Sequence, residues 1–185
     1  MPFFAKCIAF LCLANCLEAQ NSIVGYQSLE LFDANRNRLV SVEIYYPADK
    51  DYNISEGDFP VIVFGHGFLM DWMAYENFWT SLVPEGYVLC FPTTEMGLTP
   101  SHHDFGEDIK FIAQEMQSMN TITSSLYFGA LSEKTVLMGH SMGGGASFLA
   151  AQNNENIDAL INFAAAETNP SAESAAVNIS IPTLV

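Results

Sequence analysis

Positive charge is what this chain has least of. Six lysines and arginines stand against 21 aspartates and glutamates, for a net charge of −15. A chain this acidic repels nucleic acid and anionic membrane surfaces, so neither is expected as a partner. Cysteine is nearly as scarce. Three of the four, Cys7, Cys12 and Cys16, fall in the first 16 residues, and only Cys90 lies beyond them. A single thiol leaves no pair for a disulfide within the rest of the chain. Cys90, in "YVLCFP", reads as a buried strand cysteine without chemistry. The alternative, in an oxidising compartment, is a thiol whose partner this chain does not show. Internal repeats and low-complexity linkers are also lacking, which sets aside repeat and tethered-domain architectures.

What is present suits one globular domain. The 185 residues are 50% hydrophobic and 15% charged, enough for a sizeable core and unlike a disordered chain. The N-terminus, "MPFFAKCIAFLCLANCLEAQ", has one basic residue, Lys6, then an apolar run over 7–17, then Glu18-Ala19-Gln20. The run is too short to span a bilayer and ends at a small residue, as in a secretory signal peptide. Residues 1–19 are therefore expected to be a leader cleaved after Ala19, leaving a secreted domain over 20–185 with no stable membrane span. A lipoprotein anchored through Cys16 is the alternative.

Beyond the leader, residues 26–49 alternate apolar and polar on both sides of Asn35-Arg36-Asn37, the pattern of an antiparallel hairpin. "FPVIVFGHG" is a continuous apolar run ending in glycines, as expected of a strand buried on both faces. A helix is expected next, with Asp71 as N-cap and Trp72, Tyr75, Phe78, Trp79 and Leu82 three or four apart. "YVLCF" is a second buried strand. The loop "TTEMGLTPSHH" leads to a helix carrying Phe105, Ile109, Ile112, Met116 and Met119, with Asp104 and Glu107 as a capping box. "TVLMG" is a third strand, 142–153 a helix, "DALINFAAA" a fourth strand, and "ISIPTLV" the start of a fifth. Alternating strand and helix predicts an α/β fold, a mostly parallel sheet with helices on both faces and an N-terminal antiparallel hairpin. Because the last residues lie inside an apolar strand, the chain reads as the N-terminal two thirds of a longer domain, with the final strands and helices missing.

The stretch that carries chemistry is "KTVLMGHSMGGGAS", residues 134–147. A strand that turns sharply into a helix presents its turn residue at the rim of the sheet. For that residue to be a serine, the backbone must be strained, and the positions two before and two after must be small. Gly139 and Gly143 hold those positions around Ser141, and Gly144 and Gly145 would let the new helix approach the sheet closely. The helix N-terminus adds a positive dipole end where an oxyanion would form. A phosphate-binding turn is the competing use of such a motif. The stretch lacks both the Gly-Lys-Ser/Thr of a P-loop and the Gly-x-Gly-x-x-Gly of a dinucleotide turn.

On these residues the chain resembles the α/β-hydrolase superfamily. Within it, "GHSMGGG" resembles secreted cutinase-like and polyester hydrolases, with related lipases, dienelactone hydrolases and platelet-activating-factor acetylhydrolases. The resemblance implies Ser141 as nucleophile and the Met142 N–H as one oxyanion donor. It also implies a second donor in the loop after "PVIVF", which here is Gly65-His66-Gly67-Phe68, and so the Phe68 N–H. His66 is expected to shape that loop. His140, beside the serine in sequence, is expected to point away from its proton and to line the substrate cleft, as His66 and Trp72 could also do.

A serine hydroxyl needs a base, and the base an orienting acid. In this superfamily the order is Ser, Asp or Glu, then His, and no histidine follows Ser141 here. His102 and His103 precede it, in a loop expected on the same rim, and read as polar loop residues or as an unusual base. Glu167, in "FAAAETNP", stands where some relatives place the acid. It reads otherwise as a loop carboxylate shaping the rim. Asp158 lies at the opposite end of the sheet.

Taken together, the sequence points to a serine ester hydrolase working through an acyl-enzyme on a hydrophobic ester, with no metal or organic cofactor. The chain by itself is expected to be nearly inactive without its base and acid. A non-catalytic binding module that keeps the elbow, and an acyltransferase, are the alternatives.

Overall fold

The computed structural model describes residues 23–185, so the expected leader, 1–19, lies outside the described residues. Strands β1 (Ile23–Asp33) and β2 (Arg38–Ala48) form the predicted hairpin, in register from Ile23 opposite Ala48 to Asp33 opposite Arg38. At its turn the Asp33 carboxylate accepts hydrogen bonds from the N–H groups of Asn35 (2.9 Å) and Arg36 (3.3 Å). Asn37 closes the turn at φ 49°, a left-handed conformation that asparagine tolerates.

The remaining strands are β3 (Phe59–Gly65), β4 (Val88–Pro92), β5 (Leu131–His140), β6 (Ala159–Phe163) and β7 (Thr183–Leu184). They complete a seven-stranded sheet of order β1-β2-β4-β3-β5-β6-β7. β2 meets β4 antiparallel, and every pairing from β4 to β7 is parallel. This is the α/β-hydrolase type of sheet. From β3 the chain moves outward to β4, then returns across β3 to β5. Right-handed crossovers running in opposite directions must use opposite faces of the sheet. The helices obey that rule. A 3₁₀ turn (Trp72–Tyr75) and α1 (Glu76–Leu82) cover one face, while α2 (His102–Met119) and α3 (Met142–Ala151) cover the other.

Period-two alternation in the buried strands supplies both faces. Val61, Val63, Val88, Cys90, Leu137 and Leu160 pack with Phe105, Ile109, Ile112, Met142 and Ala146 of α2 and α3. Their strand neighbours Ile62, Phe64, Leu89, Phe91 and Met138 pack instead with Tyr75, Trp79 and Val83. Cys90 is a free, fully buried thiol in the first of these clusters, and burial pushes its pKa up, so it is kept protonated and inert.

Several boundaries differ from expectation. The N-cap of α2 is Ser101, not Asp104: the Ser101 Oγ accepts from the Asp104 N–H at 3.1 Å. His102 and His103 are therefore the first two residues of the helix rather than loop residues. The helix expected to start at Asp71 is split, with Asp71 capping the 3₁₀ turn through the Met73 N–H and α1 beginning only at Glu76. β6 stops at Phe163, because Ala164 turns to φ 47°. The segment expected to begin a fifth strand contributes Thr183 and Leu184 as β7, and a short unforeseen helix, α4 (Ala172–Ala176), precedes it.

One buried charge ties the hairpin to the helical layer. Asp108 of α2 is fully buried and meets Arg36 at 2.7 Å and Arg38 at 2.8 Å. Arg38 also holds Glu95 at 2.7 Å, and Glu95 accepts from the Ser101 N–H at the start of α2. Asp108→Ala leaves two partly buried guanidinium groups short of a counter-charge. It is expected to lower unfolding stability by about 3 kcal/mol, as measured by urea denaturation, whereas a fully exposed pair such as Lys50–Asp51 should contribute little when removed.

Candidate active site

The winding reverses at β3 and β5, and ligands of open α/β sheets bind outside the carboxyl ends of the strands at such a switch point. The loops there are residues 66–70 after β3 and the turn at Ser141 after β5. Ser141 has φ 51° and ψ −116°, a conformation that costs a non-glycine residue roughly 1–3 kcal/mol. Surrounding bonds hold it there. Its N–H donates to the Phe163 carbonyl (3.0 Å), and its carbonyl accepts from the N–H groups of Gly145 (3.1 Å) and Ala166 (2.9 Å). Strain is general along this rim: each loop that follows β3, β4, β5 and β6 contains one non-glycine residue at positive φ, namely Leu69, Glu95, Ser141 and Ala164.

The glycines around the serine are demanded by contact. A Cβ on Gly143 would overlap the backbone carbonyl of Gly65, and one on Gly139 would overlap Gly143. Gly65 lies opposite Gly139 in the β3–β5 register, and its own Cβ would lie 2.9 Å from the Gly143 Cα. The β3 loop and the elbow therefore touch backbone to backbone. Gly144 and Gly145 serve another neighbour than the sheet alone: a Cβ on either would press on Ala165 or Ala166, in the segment after β6.

Met142 is the first residue of α3 and is 3% exposed, while Phe68 is 47% exposed. The Met142 N–H, at the first position of a helix, has no acceptor within it. No acidic side chain occupies the first turn of α3 and no side chain caps it, so the positive end of its dipole is left uncompensated. The Phe68 N–H belongs to the Gly67–Phe68 peptide, whose carbonyl oxygen accepts from the Met70 N–H (3.0 Å) and faces the His66 Nδ1 (2.9 Å). In a trans peptide the N–H points opposite to the carbonyl, so these contacts fix its direction. His66 is 1% exposed, with its Nε2 2.8 Å from the Thr94 carbonyl. Both ring nitrogens face backbone carbonyls, one in its own loop and one in the loop after β4, and a neutral imidazole donates to one of the two.

His140 is half-buried, and its Nδ1 lies 3.0 Å from the Tyr75 hydroxyl. Trp72 is half-buried against the α1-side core, donating its indole N–H to the Tyr45 hydroxyl at 3.1 Å. His102 accepts at Nδ1 from the Asn169 N–H (3.0 Å), which ties the start of α2 to the segment after β6. His103 is largely exposed, 3.6 Å from Asp104. Glu167 is exposed and accepts from the Glu173 N–H at 3.1 Å. Hydrogen bonds from the Ser171 hydroxyl and that N–H hold its carboxyl below the usual carboxylate range. It is occupied at the start of α4. Asp158, at the opposite end of β6, pairs with Lys134 at 2.6 Å and accepts from the Thr135 N–H. Among the described residues no cluster of His, Cys, Asp and Glu could hold a metal ion, and no helix is long and apolar enough to cross a membrane.

The model of a family described as PET hydrolase-like (PETase) matches residues 23–185. The chain belongs to that family. It is one of cutinase-type α/β-hydrolases, which fits the mostly parallel sheet. No curated protein matches the chain significantly. One participant in the site escaped sequence reasoning. Tyr75 registered only as an apolar helical position, and nothing in the local sequence signals that its hydroxyl reaches from the 3₁₀ turn to both Gly67 and His140.

The contact between Gly143 and the β3 loop can be tested without reference to chemistry. Gly143→Ala is expected to lower the melting temperature by several degrees, while Gly97→Ala, where a Cβ meets nothing within 4 Å, is expected to leave it unchanged; scanning calorimetry of both variants measures the difference.

Proposed function

We propose that this chain supplies the nucleophile and oxyanion hole of a secreted serine carboxylic-ester hydrolase acting on hydrophobic esters. The observation that carries the reading is Ser141, held at positive φ at the end of β5 and backed against the β3 loop, in a PET hydrolase-like chain. The expected leader over 1–19 is the ground for calling it secreted.

In this reading the Ser141 Oγ attacks the ester carbonyl carbon and gives up its proton to a base. The carbonyl oxygen becomes an oxyanion held by the Met142 and Phe68 N–H groups. Each such donor is typically worth ~10²–10³ in rate. The carbon–alkoxy bond breaks, the alcohol leaves with the proton, and an acyl-enzyme remains on Ser141. Water then attacks the same carbonyl, and the acid product is released. A histidine base and an orienting carboxylate are required in addition to these residues. Glu167 and His102 are engaged by the backbone as described above, and this reading gives them the part of holding the rim loops. The exposed rim side chains Phe68 and Leu69 favour an apolar acyl or aromatic group on the substrate.

Release of p-nitrophenol from p-nitrophenyl butyrate by the full-length protein tests the proposal. Ser141→Ala is expected to reduce kcat/KM by at least ~10³-fold with an unchanged melting temperature. Ethyl butyrate formed in preference to butyrate, with ethanol far scarcer than water, would reassign the protein as an acyltransferase. An Ser141→Ala variant as active as the parent would overturn the reading.

A further inference from the structure

The hydroxyl of Tyr75 sits at a junction that the reaction scheme leaves unused. The residue is 5% exposed and its ring packs on Phe64, with centroids 4.7 Å apart. Its oxygen accepts from the Gly67 N–H at 2.8 Å and lies 3.0 Å from the His140 Nδ1 and 3.2 Å from the Met70 Sδ. Burial raises its pKa, so the phenol keeps its single proton at neutral pH. That proton has two candidate acceptors. Either way the hydroxyl bridges the two segments: it donates to a His140 Nδ1 that lacks a proton, or accepts from one that carries it while donating to Met70. The hydrogen-bonded chain joins the Gly67 N–H, the Tyr75 hydroxyl and the His140 Nδ1.

The two ends of that chain are the two halves of the proposed oxyanion hole. Gly67 shares a peptide with Phe68, and His140 directly precedes Ser141 and Met142. The space is tight as well: a Cβ on Gly67 would come within 3.0 Å of the His140 Nδ1 and 3.3 Å of the Tyr75 hydroxyl. We propose that Tyr75 is a positioning residue for the reaction, one hydroxyl that holds the Phe68 and Met142 N–H groups at the separation an oxyanion needs. It touches neither substrate nor reacting atoms and acts through Gly67 and His140. The inference rests on the esterase reading of Ser141 given above.

Tyr75→Phe keeps the ring and removes both hydrogen bonds. In the full-length protein it is expected to lower kcat on p-nitrophenyl butyrate by about 10–100-fold with KM within about two-fold, because the oxyanion exists only in the transition state. A trifluoromethyl ketone forms a tetrahedral oxyanion on the serine. Its inhibition constant should rise by the same factor as kcat/KM falls, a correspondence that loss of general stability would not produce. His140→Leu, which removes the junction from the elbow side, should act in the same direction, and the double variant should lose little more than either single one. Unchanged kcat and ketone affinity in Tyr75→Phe, with Ser141→Ala inactive, overturns the positioning role alone. Activity that survives Ser141→Ala overturns the esterase reading itself. Equal losses in ketone affinity and in KM would also contradict the positioning role, since they would mark a general loss of binding.

Discussion

The contact on which this structure depends is made by no side chain. Two backbones, the end of β3 with its following loop and the first turn of α3, meet at Gly65 and Gly143 so closely that neither position has room for a Cβ. Van der Waals exclusion of one carbon atom thereby sets the distance between two loops far apart in sequence. Everything proposed for the site follows from that approach. A helix N-terminus carrying Met142 is brought beside the peptide carrying Phe68, and Ser141 stands at the junction. Had either glycine been alanine, the loops would have to separate.

Holding a serine at φ 51° is unfavourable in isolation, and the offset comes from its surroundings. The Ser141 backbone makes three hydrogen bonds, one to Phe163 at the end of β6 and one to Ala166 in the segment after it. That segment is itself tied to α2 through the His102 Nδ1 and to α4 through Glu167. On the β3 side, His66 joins the β3 loop to the Thr94 carbonyl, and Glu95 beside it reaches Arg38 and so the buried Asp108. The rim is a continuous polar frame around a strained centre. His66, His102 and Glu167 each contact backbone within that frame.

How much of this is visible in the residues alone depends on the range of the interaction. The strands β3, β4 and β5 are legible because burial on two faces needs unbroken apolar runs, and "PVIVF", "VLCF" and "TVLM" supply them. The elbow is legible because its steric demand falls on Gly139 and Gly143, two residues either side of the serine. Family membership supports that fold reading directly. Interactions that cross between elements leave no such trace. Asp104 with Glu107 imitates a capping box, yet Ser101 takes the cap because Glu95 fixes its N–H from a loop. Tyr75 is indistinguishable from a core aromatic until the fold brings His140 to it. Glu167 reads in the sequence as a candidate acid, and only the short α4 after it reveals a carboxylate bonded to the Glu173 N–H.

The central claim is that Ser141 and the two facing N–H groups form one reactive centre. The most direct measurement is a crystal structure of the full-length protein after reaction with an alkyl fluorophosphonate. The account predicts a phosphorus–oxygen bond to the Ser141 Oγ, with the phosphonyl oxygen roughly 2.7–3.1 Å from the nitrogens of both Phe68 and Met142. An unmodified Ser141, or a phosphonyl oxygen turned toward solvent and away from those two amides, would contradict it.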